Sequence, residues 1–298
     1  MDEEWEGIAG FLGSGYELTC DFAGLSDFLR RNIVDEVAIY LPLRSFYAVA
    51  CQVAATCEQH GVIIRFDSDL FDLKTAHSRA EEFDGAAQIT VYTSTLDGWQ
   101  MLVKRIQDFA ISFTLLLLLS PLFLLISILI KLTSSGPVFF LQERVGLNKR
   151  RFNIFKFRTM IPNAEKMMAE LEALNELSGP VFKIKNDPRL TPLGRFLRRS
   201  SLDELPQLLN VLLGDMSLVG PRPMAIRDFE GFSEDWQRRR FSVPPGITCL
   251  WQINGRNSVP FQQWMEMDMQ YIAEWSLWLD LKILARTIPA VWKGIGAA

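Results

Sequence analysis

Residues 198–223 read RRSSLDELPQLLNVLLGDMSLVGPRP, with the adjacent acids Asp203 and Glu204 at the centre. Pro206 cannot donate a backbone hydrogen bond and fits best in the first turn of a helix. That makes Asp203 a natural N-cap and places Leu205, Leu208, Leu209 and Leu212 on a buried stripe. A carboxylate at the positive end of a helix is favoured in its ionised form, and the same free N–H groups favour a bound phosphate. Arg198, Arg199 and Arg222 add positive charge nearby in sequence. Two readings stand on spacing alone. The pair is either a reaction centre where a carboxylate meets an anionic substrate, or a plain helix start in which Ser201 and Glu204 form a capping box.

The 298 residues suffice for one large or two modest domains, and a hydrophobic share of 49% is high for a soluble chain. Charge is unevenly divided. Residues 1–98 carry 6 basic and 17 acidic side chains, net −11, whereas residues 99–298 carry 25 and 18, net +7. The basic part suits an anionic lipid surface or phosphate-bearing substrates. Nucleic acid is disfavoured because this charge is interleaved with long aliphatic runs. Cys20, Cys51, Cys57 and Cys249 have no metal-like or disulfide-like spacing and read as reduced cytosolic thiols, and His60 and His77 are too few for a histidine-built metal site.

Residues 1–24 are acidic loop, and Gly10, Gly13 and Gly15 do not match a dinucleotide fingerprint. The pattern then gives a helix over 25–32, a strand over 36–41, a helix over 44–59 and a strand over 61–66. This βαβ unit predicts a small Rossmann-like domain within residues 1–98, regulatory or architectural in role. Residues 67–98 read as an irregular connection with one short strand over 87–92.

Residues 109–130 hold 22 residues without a charge, enough to cross a bilayer as a helix. Ser120 and Pro121 sit at the midpoint, where proline removes a helix bond. Basic residues flank both ends: Lys104 and Arg105 before, Lys131, Arg144 and residues 149–151 after. Positive charge on both sides predicts a re-entrant hairpin over about 106–132 with both ends in the cytoplasm. A kinked spanning helix is the alternative. Strands follow over 137–142 and 152–157, then helices over 163–177, 193–199, 229–241 and 261–292. The last contains Trp264, Trp275, Trp278 and Trp292, a density that suits the headgroup region or a packed core.

A membrane hairpin, a basic domain and an acid pair combine into an enzyme joining an anionic donor to a lipid phosphate. Asp203 would be the nucleophile and Glu204 a magnesium ligand. Against it stand a non-catalytic membrane scaffold and an unrelated multi-spanning transferase, the latter weakened by the single long apolar segment.

The ordered series ERVG (143–146), KFRTM (156–160), DPRLTPLGRFLR (187–198), SLDELPQL with GDMSLVGPRP (201–223) and PPGITCLWQINGR (244–256) resembles the bacterial monotopic phosphoglycosyl transferases. These start exopolysaccharide and O-antigen lipid-linked sugars. The resemblance covers residues 99–298, and residues 1–98 look like the Rossmann-like domain of the larger members. Those members usually begin with spanning helices, so this chain reads as a short form or a truncated piece. The resemblance implies an α/β chain: a Rossmann-like domain, then a mainly helical α+β monotopic catalytic domain at the cytoplasmic face of the bacterial inner membrane.

The same resemblance implies a magnesium-dependent exchange. Asp203 would attack the β-phosphate of a UDP-sugar, release UMP and hold a phosphosugar that polyprenyl phosphate then removes. Glu204 matches the magnesium-linked acid, Arg198 the contact to the lipid phosphate, and Ser120 with Pro121 the membrane-helix break. Lys156, Arg158, Asp187, Arg189, Arg222, Arg256 and Asp268 fall on further motifs as donor contacts. Cys249 departs from the expected glycine. A homodimer is compatible with the N-terminal domain and the aromatic tail.

Overall fold

The computed structural model describes residues 21–39, 43–66, 77–83, 86–92, 98–164, 167, 184, 187–255 and 259–292. The chain divides into two compact units, one of residues 1–94 with 235–242, the other of 95–234 with 243–298.

In the first unit α1 (Leu25–Arg31) and β1 (Glu36–Ile39) precede α2 (Leu43–His60) and β2 (Ile63–Phe66). Ala50, Val53, Ala54 and Cys57 recur at helical spacing on α2 and are buried with Leu29, Ile39, Val62 and Ile64. That stripe is why α2 covers the sheet. β1 and β2 pair in parallel through the α2 crossover, as the βαβ reading requires.

The rest of the sheet departs from expectation. β3 (His77–Phe83) and β4 (Ala86–Tyr92) form an antiparallel hairpin, and β4 also pairs antiparallel with β2, giving the order β1-β2-β4-β3. Among its described residues, region 67–98 therefore holds two strands where one was expected. HSRAEEF lacks an apolar run because β3 is the sheet's edge, where charged residues are tolerated and guard against stray pairing. With one parallel pair among the described strands, the sheet is mixed and does not by itself make a Rossmann-like fold.

The single helix expected over 229–241 is instead two pieces, an α-helix at Ile226–Glu230 and a 3₁₀ segment at Asp235–Ser242. Gly231 ends the first. The second belongs to the first unit. Asp235 accepts from Ser26 Oγ at 2.8 Å and from Arg30 Nε at 2.7 Å.

In the second unit α3 (Gly98–Thr133) runs for 36 residues and stays helical through Ser120 and Pro121. It is long and apolar enough to cross a membrane. One face is covered: Ile111, Leu115 and Leu116 pack on a core containing Leu208, Val211 and Leu218, while Leu122, Phe123, Ile126 and Ile130 pack with Phe157 and Leu197. The other face, including Phe113, Leu117, Leu118 and Leu124, is exposed.

Strands β5 (Phe139–Val145) and β6 (Arg151–Phe157) pair antiparallel. Next come α4 (Pro192–Arg199), a 3₁₀ turn at Leu202–Glu204, α5 (Gln207–Leu213), β7 (Ser217–Val219), β8 (Met224–Ala225), α6 (Ile226–Glu230), β9 (Gly246–Thr248) and α7 (Leu250–Ile253). β8 extends the β5–β6 sheet, and β7 pairs in parallel with β9.

Residues 261–292 are two helices rather than one, α8 (Phe261–Glu274) and α9 (Leu277–Trp292). The break falls at Trp275, which leaves helical geometry, and Ser276 Oγ accepts from Leu279 N at 3.1 Å. The helix expected over 163–177 lies largely outside the described residues.

Two of the charges flanking the apolar run are internal. Lys104, 3% exposed, donates to Asp280 Oδ2 at 2.5 Å and to Val219 O at 3.1 Å. Tyr271 donates to Asp280 Oδ1 at 2.9 Å. Arg105 donates to the carbonyls of Val211 and Leu212 at the end of α5. These side chains therefore fasten α3 to the unit and are not free to meet headgroups.

Lys104→Met should leave the Asp280 carboxylate buried without its cation. The expected loss is about 3–5 kcal/mol, read as a lowered thermal midpoint in detergent; an unchanged midpoint would show that the pair is dispensable.

Candidate active site

The site begins with how α4 is held. Thr191 caps it by accepting from Gly194 N at 2.9 Å, and Pro192 occupies its first position. Gly194 lies against Thr159: a Cβ on it would sit 1.9 Å from the Thr159 carbonyl oxygen. The last turn of α4 carries Arg198, whose Nε donates to Thr159 Oγ1 at 3.1 Å. Ser201 then adopts a left-handed conformation, φ 57°, turning the chain into Leu202–Glu204.

This geometry corrects the expected helix start. Asp203 lies inside the 3₁₀ turn, and α5 begins at Gln207 with Pro206 before it and no side-chain cap. The buried face of α5 is Gln207, Leu208, Asn210 and Val211; of the predicted leucine stripe Leu208 is buried and Leu205 packs beside Leu197, whereas Leu209 and Leu212 are half-buried. Proline tolerates the entry to a helix as well as its first turn, so the pattern misplaced the start. Nor does a capping box form, because Ser201 makes no side-chain cap and Glu204 points elsewhere.

Glu204 is clasped by two cations. Its Oε1 accepts from Lys156 Nζ at 2.9 Å and from Arg222 Nη2 at 2.5 Å, and Oε2 accepts from Arg222 Nη1 at 3.3 Å. Lys156 comes from β6. Asn210 fixes this strand to α5, accepting from Phe155 N at 2.9 Å and donating to Asn153 O at 2.7 Å. Gly214, at φ 98°, closes α5 in a conformation that favours glycine. Among the described residues no hydrogen bond or ion pair reaches the Asp203 carboxylate, which is 7% exposed.

The two acids are thereby set apart. Burial and then the Glu204 charge push Asp203 up to about 6, against the pull of Lys156, Arg198 and Arg222. The expected helix-dipole effect on Asp203 has no basis in this geometry, since the helix starts at Gln207, and burial shifts the carboxyl upward. Burial would also raise Glu204, but Arg222 and Lys156 outweigh it and hold Glu204 well below the usual range. Burial lowers Lys156 and Arg198 from their ordinary values, whereas Glu204 raises Arg222 in spite of burial.

A cleft of 1210 Å³ opens on the pair, and Asp203, Glu204, Lys156, Arg198, Arg222, Asp187, Arg189 and Arg158 all line it. Arg189 and Asp187 are paired side by side, Nε to Oδ1 at 2.9 Å and Nη2 to Oδ2 at 2.6 Å. Arg158 donates to Ser134 O at 2.8 Å, just past the end of α3. Asp268 is buried on α8 and Ser120 and Pro121 are exposed on α3; none of the three lines the cleft. Arg256 lies outside the described residues.

Arg144 joins the cleft although its sequence position read as a membrane flank. Burial, then Arg222, lower it to about 10. Strand alternation could have found it, since the β5–β6 register puts Phe140, Gln142 and Arg144 on the face that carries Lys156.

Buried acids among clustered cations in a cleft suit chemistry on phosphates. Residues 99–294 match the family model described as bacterial sugar transferase. The chain belongs to that family. It is similar to the galactosyl transferase CpsE of Streptococcus agalactiae serotype III (strain NEM316), 38% identical over 267 residues, covering 89% of this chain and 59% of the relative. It is 35% identical over 285 residues to the UDP-glucose:undecaprenyl-phosphate glucose-1-phosphate transferase of Klebsiella pneumoniae, covering 92% of this chain and 58% of the relative. With the exopolysaccharide production protein ExoY of Rhizobium meliloti (strain 1021) it shares 43% identity over 197 residues, 64% of this chain and 85% of the relative. The chain thus spans somewhat over half the length of the first two.

Gly194→Ala should force α4 away from Thr159 and carry Arg198 with it. A loss of about 1–3 kcal/mol is expected as a lowered thermal midpoint, and an unchanged one would show that α4 has slack.

Proposed function

We propose that the chain transfers a sugar 1-phosphate from a UDP-sugar to polyprenyl phosphate and releases UMP. The observation that carries this reading is the division of the acid pair: Glu204 is held by Lys156 and Arg222, while the buried Asp203 carboxylate is left unshared in the same cationic cleft. The relatives' names support hexose donors, glucose or galactose, and undecaprenyl phosphate as acceptor.

In the first step an Asp203 carboxylate oxygen attacks the β-phosphorus of the donor. The bond from that phosphorus to the bridging oxygen breaks, UMP leaves with the oxygen, and Asp203 carries the sugar phosphate as an acyl phosphate. In the second, a phosphate oxygen of the lipid attacks the same phosphorus, the bond to Asp203 breaks, and the carboxylate is restored. No proton transfer is needed in either step. Lys156, Arg222, Arg198 and Arg144 offset the charge of the anions that meet there.

The donor set also fits magnesium. A carboxylate offers about four lone-pair sites; three N–H donors engage Glu204, and Asp203 is open, so the two acids could hold the ion together with donor phosphates. When bound, magnesium would neutralise phosphate charge.

The membrane segment fits a re-entrant helix entered from the cytoplasmic face of the inner membrane, although α3 stays helical at Ser120 and Pro121, where a break was expected. Both halves of α3 pack on the same unit, whereas a spanning helix would carry its far end away. The first unit fits a Rossmann-like accessory domain through its βαβ connection.

Asp203→Asn in nanodiscs, with magnesium, UDP-glucose or UDP-galactose and undecaprenyl phosphate, should reduce UMP release to background and remove the phosphosugar adduct from the intact-mass spectrum. Full activity in that variant would sink the nucleophile assignment. Because Asp203 must be ionised to attack, kcat/KM should fall about tenfold per pH unit below about pH 6. In Glu204→Gln the residual activity should keep its plateau to lower pH, since the neighbouring negative charge is gone. An unmoved acid limb would assign the titration to another group.

For topology, single cysteines at the exposed positions Trp99 and Arg151 should both react with an impermeant reagent from the cytoplasmic side. Labelling from opposite faces would refute the hairpin.

A further inference from the structure

The cleft continues beyond the phosphate-binding cations to an aromatic corner at α7 and α8. Trp251 is 8% exposed and lines the cleft. Its ring meets that of Trp264, also a lining residue, with centroids 4.4 Å apart and planes inclined by 47°. The Trp251 Nε1 is buried and has no hydrogen-bond partner. An indole N–H only donates, and a buried one normally finds an acceptor, so this one calls for an acceptor that the described residues do not supply.

Gln252 lines the cleft beside it. Its Oε1 accepts from Cys249 Sγ at 3.1 Å, which orients the amide and turns its NH₂ group to the other side. Ile247 and Thr248, just before Cys249, line the same cleft as Glu204 and Arg222. A short stretch of backbone therefore carries both the aromatic corner and a neighbour of the reaction centre.

We propose that Trp251 and Gln252, backed by Trp264, seat the uracil ring of the donor nucleotide, an inference that rests on the transferase reading. Uracil presents two carbonyl acceptors on either side of a ring N–H. The indole N–H and the Gln252 NH₂ can serve the carbonyls, and Gln252 Oε1 keeps a lone pair for the ring N–H. Cytosine places an amino donor where uracil has one of its carbonyls, so donor would face donor, and a site built on hydrogen bonds rejects such a mismatch strongly. The flat indole faces also offer a surface for base contact.

The test titrates the full chain in nanodiscs with UMP, CMP and inorganic pyrophosphate by calorimetry, comparing wild type, Gln252→Leu and Trp251→Phe. Wild type should prefer UMP to CMP by about tenfold or more. Gln252→Leu should bring the two within about twofold of each other, and Trp251→Phe, which keeps a ring but loses the N–H, should weaken UMP by about five- to tenfold. Pyrophosphate, a probe of the cation cluster alone, should bind all three equally. Variants that bind UMP like wild type, or that lose pyrophosphate together with UMP, overturn the base seat. A wild type that binds pyrophosphate but does not distinguish UMP from CMP overturns it too, leaving the transferase reading intact. A wild type that binds neither nucleotide nor pyrophosphate overturns both.

Discussion

The clasp of Lys156 and Arg222 on Glu204 is the interaction on which the site depends. It joins β6, the 3₁₀ turn and the segment after β7, three pieces of chain far apart in sequence, at one buried carboxylate. Removing either cation would leave a partly buried charge poorly compensated, which makes the loss of one partner costly even though apolar packing could hold these elements as firmly. It also occupies Glu204. Among the described residues the neighbouring carboxylate has no hydrogen-bond or ion-pair partner, and burial and the charge beside it shift it upward.

The supporting elements are arranged to keep that difference sharp. Asn210 borrows backbone groups of β6 and so fixes Lys156 one residue away. Gly194 lets α4 close onto the Thr159 carbonyl, which brings Arg198 to the rim of the same cleft. α3 contributes from below. Its covered face is tied by Lys104 and Asp280 and by packing into two hydrophobic clusters, leaving an apolar outer face.

Much of this was legible in the sequence. The 22-residue apolar run marked α3, alternation marked β5 and β6, and α2 announced itself by four small or apolar residues at helical spacing. The residues around the acid pair were found because their motifs lie in order along the chain. What the sequence hid has physical reasons. β3 is a charged edge strand and needs no apolar signature. Lys104 and Arg144 are basic residues near an apolar run, and only the fold reveals that one is an internal tie and the other a wall of the cleft. The upward shift of Asp203 was hidden because local position predicted a helix dipole, whereas burial, a tertiary property, dominates.

Residues 235–242 have a consequence of their own. The chain leaves the second unit at Glu234, contributes eight residues to the first, and returns at Val243. Gln237, Arg238, Arg240, Phe241 and Ser242 are buried there. The units are therefore not beads on a string. Melting the first would release a loop whose two ends are both fixed in the second, one of them a few residues before β9, so their unfolding transitions are thermodynamically linked. Trimming the protein at residue 95 would strip that buried segment of the rest of its own unit and expose apolar surface.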